Sequence, residues 1–212
     1  MADSAQAIGA VNSSLTAGSD TSVQFPVTAS ATSTANSTNG TATAAASVTD
    51  VAGAVNSTTT VGNNANIVAS VTGAVAATAT NVGDIATPGD FSTATATFSG
   101  NEGGFLNSAG ANATSGTINT DITAGNGATI SATVGITGAA TATSTSGNGT
   151  ANATGGSVYG FQDTGITVGA TGSLTASLDA DITATSINTG APGTSANSTA
   201  TANQTNAIGI SG

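Results

Sequence analysis

The side chains of this 212-residue chain that could do chemistry are ten carboxylates, many Asn, Gln, Ser and Thr groups, one Tyr and one Met. There is no Lys, Arg, His, Cys or Trp. Without imidazole or thiolate there is no His base, no Cys nucleophile and no zinc-thiolate or imidazole metal site. Carboxylates alone could act as a glycosidase pair, and Asp179 and Asp181 are the closest in sequence. Two residues apart on a strand, they would share one face. With no cationic and few aromatic groups to hold a sugar, they read better as solvated charges that discourage edge-to-edge sheet pairing. The chain is therefore expected to be non-enzymatic, with no organic cofactor.

Hard cations need only carboxylate, amide and carbonyl oxygens, so Ca2+ is the one plausible bound ion. Its candidate ligands are Asp84, Asp90 and Glu102, in segments rich in Gly and Asn. No EF-hand spacing is present. A formal charge of −10 would repel nucleic acid and anionic lipid. No stretch approaches the roughly 18 apolar residues of a membrane span. With no cationic side chain, no side-chain salt bridge can form within a subunit or between identical ones. Packing and backbone hydrogen bonds must hold the molecule together.

The elements that position these groups are read as strands. Alternation with period two runs through residues 92–99, 133–145 and 165–187, with Thr or Ser on one face. Clusters at 87–90, 100–104, 125–127 and 190–193 punctuate them as turns. Val, Ile, Leu and Phe are scarce, but so are charge and Pro, and β-branched residues recur throughout, so a folded chain is expected. The expected fold is all-β, an antiparallel β-sandwich or jelly roll with strand exchange between subunits. The alternative is a β-solenoid with rungs of about 20 residues. The twenty-residue unit comes from repeats such as GAV at 53 and 73, ANAT at 111 and 151, and DITA at 121 and 181. In rows of twenty, Phe98, Ile118, Val158 and Leu178 share a column. GAVNS also occurs twice, at 9–13 and 53–57.

Nine Asn-X-Ser/Thr sequons are scattered through a chain rich in all three residues, as chance alone would give. The Thr-X-Thr runs at 93–97 and 141–145 resemble the threonine ladders of β-helical ice-binding proteins, although their spacing along the chain is irregular.

Both ends carry a short apolar patch, QAIGAVNSSL near the start and NAIGISG near the finish. Ile8, Val11, Leu15, Ile208 and Ile210 are the candidate assembly residues, since a terminal strand can add to a neighbour's sheet edge without charge pairing. Residues 1–15 are read as a donor strand or N-terminal extension and 16–212 as one all-β domain. In composition and in these AIG-type ends the chain resembles the secreted fibre subunits of microbial extracellular matrices and surface filaments. The resemblance implies polymerisation by donor-strand exchange, with the chain itself as partner. It implies an extracellular or cell-surface location, a structural role in a biofilm matrix, filament or sheath, and lateral bundling bridged by divalent ions. The alternative function is a β-rich adhesin or ice-binding protein. Resistance to trypsin-like cleavage fits an outer location. The first residues have neither a positive n-region nor an apolar h-region, so an export route reading another signal is expected.

Overall fold

In the computed structural model the described residues are 1–38, 40–82, 91–106, 120–145, 147–162, 164–189 and 198–211. They form strands β1 (Ala2–Val11), β2 (Ser14–Ala17), β3 (Ser22–Ser37), β4 (Ala42–Val55), β5 (Thr58–Val61), β6 (Asn66–Asn81) and β7 (Phe91–Leu106). These are followed by β8 (Asp121–Ala124), β9 (Thr129–Ser144), β10 (Asn148–Gln162), β11 (Gly165–Val168), β12 (Ser173–Asn188) and β13 (Ser198–Ser211).

Each strand pairs with the one three elements away, and every pairing is parallel. Three sheets result: β1-β4-β7-β10-β13, β2-β5-β8-β11 and β3-β6-β9-β12, here called the first, short and third sheets. The chain winds as a solenoid, each coil contributing one strand to each sheet. A sixteen-residue strand spans about 53 Å and a coil adds about 4.8 Å. With one side only four residues wide, the coil is flattened into a two-faced slab.

The antiparallel sandwich or jelly roll is therefore corrected to a parallel solenoid. Period-two alternation marks a strand without marking its direction, because parallel and antiparallel strands expose side chains with the same period. The twenty-residue rung is corrected as well. In the short and third sheets and their shared corner, equivalent residues lie 44 apart in the first and last steps, as for Ser19 with Asn63 and Asn126 with Ala170, and 63 apart in the middle step, as for Asn63 with Asn126. The longer step carries extra residues between β6 and β7 and between β7 and β8. GAVNS at 9 and 53 belongs to this spacing. The GAV pair at 53 and 73 and the DITA pair at 121 and 181 join non-equivalent strands. The same holds for Phe98 and Val158 in the first sheet against Leu178 in the third, and Ile118 lies outside the described residues.

The core lies between the first and third sheets and is built of Ala and Val with few large side chains. Small residues suffice because the sheets are drawn close. Gly53, Gly104 and Gly160 stack in one column, and a Cβ on each would stand 2.8, 2.5 and 2.5 Å from the Cβ atoms of Ala69, Ala132 and Ala176. Where a large side chain does enter, its partner shrinks: Phe98 lies against Gly73, whose added Cβ would come within 2.8 Å of the ring.

The corner after the short sheet repeats in every coil as Thr-[Ala/Val]-Gly at 16–18, 60–62, 123–125 and 167–169. Two residues on, Asp20, Asn64, Gly127 and Thr171 all take positive φ, at 58°, 52°, 69° and 61°. The glycines are needed because a Cβ at Gly62, Gly125 or Gly169 would meet the backbone of the coil before it within 2.7 Å. Side chains then stitch the corners along the axis. Asn63 Oδ1 accepts from the Asn126 N–H at 2.9 Å, and Asn126 Oδ1 from the Ala170 N–H at 2.8 Å. The opposite arch is held likewise, by Asn81 Nδ2 donating to the Gly40 carbonyl and Asn188 Nδ2 to the Gly147 carbonyl.

Candidate functional site

Three features could carry function: the open strand edges, the outward hydroxyl faces and a buried acid cluster. The edges come first because a parallel stack leaves N–H and C=O groups unpaired on its outermost strands. Inward residues of β12, including Leu174, Leu178 and Ile182, are only half-buried, whereas their partners Ile130 and Val134 one coil earlier are fully buried. Among the described residues no strand lies beyond β12 to cover them.

The structure places the predicted assembly residues on these outer layers. Ile8 is half-buried on β1, Val11 is 43% exposed at its end, and Leu15 is 39% exposed on β2. Ile208 is half-buried on β13, and the backbone of Ile210 pairs with that of Phe161. Ala7-Ile8-Gly9 and Ala207-Ile208-Gly209 occupy the same place in the coil, for Ala7 stands against Val51, Val51 against Glu102, Glu102 against Val158 and Val158 against Ala207. The shared motif at the two ends is one structural position on the two outermost strands of the first sheet.

The edges of the third sheet differ. Pro26 lies on its outer strand β3, where the missing N–H costs no ladder bond between neighbours. Asp179 and Asp181 are exposed on its other outer strand, β12, two residues apart on the outward side as expected.

The slab faces are grids of hydroxyls. On the third sheet Thr34, Thr78, Thr141 and Thr185 align in one rank, and each coil carries a Thr two residues to one side or the other. On the first sheet Thr43, Thr93 and Thr150 align with Thr199. The irregular spacing of Thr-X-Thr motifs along the sequence becomes regular once the coil of unequal length is wound.

Of the predicted cation ligands, Asp84 and Asp90 lie outside the described residues. Glu102 is an inward-facing strand residue, fully buried, in the otherwise apolar column Ala7–Val51–Glu102–Val158. Neither of its carboxylate oxygens has a hydrogen-bond partner. Burial chiefly, with a further contribution from the charge of Asp50, pushes its pKa up to about 8. Asp50 is 3% exposed, sits in a β-bulge with φ 51°, and accepts from Gln6 Nε2 at 3.1 Å. Sequence reasoning missed Asp50, since it has no acidic residue near it along the chain. Among the described residues no group of three or more Asp, Glu, His or Cys is gathered.

No family model, curated protein or solved structure matches this chain.

Proposed function

We propose that the chain is a structural subunit of an extracellular fibre, a matrix element, filament or sheath, that lengthens by parallel addition of the β13 edge of one copy to the β1 edge of the next. The observation that carries this reading is the pair of equivalent open strands bearing Ala-Ile-Gly on the first sheet, beside coil ends whose core residues are half-covered. Parallel addition extends the existing ladder and covers apolar surface without charge pairing, which a chain lacking cationic side chains requires. The first sheet has one strand more than the third. Joining β13 to β1 would thus hold β12 and β3 about two strand spacings apart, leaving room for Asp179, Asp181 and Pro26. Fibre formation here needs no enzyme activity, cofactor or membrane insertion.

The test is sedimentation of full-length protein beside Ile8→Asp and Ile208→Asp, which place a charge with no cationic partner in the joint. Pelletable polymer from the parent and soluble protein from both variants is the expected result. A parent that stays monomeric at high concentration would reject the reading.

One observation favours a second reading, the registered threonine ranks on flat, nearly uncharged faces. Such a grid suits an ice-binding surface, and a measured gap between melting and freezing points would select it over the fibre.

A further inference from the structure

We propose that Asp50 and Glu102 form a buried Ca2+ site where the bulges of the first sheet stack. The register of β1 against β4 slips between Ala5 and Ala7, that of β4 against β7 between Thr49 and Val51, and that of β10 against β7 between Thr154 and Ser157. Gln6, Asp50 and Gly155-Gly156 are the residues at these slips. They bring polar groups into a wall that is otherwise Ala and Val, and bulges release backbone carbonyls from the ladder.

Glu102, the chain's one glutamate, has both oxygens buried and unpartnered, and Asp50 lies within electrostatic reach of it. Gly156 makes room for the carboxylate itself, because a Cβ there would stand 2.3 Å from Glu102 Oε2. On the far side Gln204 Nε2 donates to the Gly156 carbonyl at 2.7 Å, closing the site toward β13.

In their ionised forms the two buried acids have no Lys, Arg or His in the chain to offset them, so without a bound cation a proton on Glu102 is what relieves its burial. A divalent cation compensates both charges at once. The available donors are all oxygens: two from Glu102, those of Asp50, the amide oxygen of Gln6 after rotation, and bulge carbonyls. Ca2+ suits this set better than Mg2+, because it accepts irregular geometry and needs no retained shell of water in a closed space. Binding at a site assembled only by the fold stabilises the fold.

The test uses the full chain stripped with EDTA at pH 7.5, with thermal unfolding followed by circular dichroism with and without 1 mM Ca2+ or Mg2+. Ca2+ is expected to raise Tm by about 5–10 °C if its concentration is about a hundred times Kd. Mg2+ should do much less, and Asp50→Asn and Glu102→Gln should lose the response. Tb3+ gives an independent readout. Tyr159, the sole tyrosine, neighbours Val158, which is opposite Glu102, so it should sensitise Tb3+ luminescence in the parent and not in the variants. An unchanged parent Tm would overturn the site in favour of a protonated Glu102 with no bound ion. Equal shifts in the parent and both variants would overturn it in favour of surface carboxylates.

Discussion

Glu102 shows how one residue can oppose the rule of its neighbourhood. Its column is apolar on every described neighbouring strand, so its carboxyl is neutral in the metal-free fold up to a pKa of about 8, against 4.5 when unfolded. Between these values the folded chain binds the extra proton, so its stability is fully present below about pH 4.5 and is lost as pH rises toward 8. The loss should amount to a few kcal/mol, since each tenfold change in proton affinity on folding is worth roughly 1.4 kcal/mol. Urea unfolding of EDTA-treated protein at pH 5 and pH 8 measures it. Glu102→Gln should flatten the dependence and be the more stable form at pH 8. At Gly104 the constraint is steric. Gly104→Val should cost about 3 kcal/mol or more, because the first added carbon already collides with Ala132. Neither effect was legible in the sequence. Glu102 sits amid glycines and an asparagine that read as a turn, and the glycines that look like turn punctuation at 103–104 are strand residues admitting the opposite sheet.

At the scale of elements, strand identity was legible and strand partnership was not. The alternating runs at 133–145 and 165–187 are indeed strands for most of their length. Their direction and neighbours depend on coil length, which one coil extends by nineteen residues, masking the 44-residue period. The corner motif Thr-[Ala/Val]-Gly was the readable signal, since it recurs once per coil with a left-handed residue two positions on. Asn126 is central to that corner, accepting from the Ala170 N–H and donating its own N–H to Asn63. Asn126→Ala should lower stability by about 1 kcal/mol, seen as an earlier urea midpoint with an unchanged slope. Asn63→Ala should do the same, as the same bond lies one coil earlier.

At the scale of the whole molecule, the slab has two hydroxyl-rich faces with few charges, Asp179 and Asp181 on one outer strand of its third sheet, and edge strands in its first sheet that carry the same motif. Exposed Asp179 and Asp181 would repeat along a fibre with nothing cationic between them. Lateral association should therefore be weak at neutral pH and low salt, and should increase with Ca2+ or on titration to pH 4, read as turbidity. Turbidity indifferent to both would remove this account of bundling while leaving end-to-end addition intact. The terminal Ala-Ile-Gly segments were visible in the sequence as like patches. Their equivalence within one coil was not, because it requires the winding.

The most direct test of the account is cryo-electron microscopy of the full-length protein at high concentration, with diffraction from aligned material. Fibres one slab wide, with a meridional spacing of about 4.8 Å from strands lying across the fibre axis, are the predicted result. Dispersed single slabs, or fibres whose strands run along the axis, would contradict it.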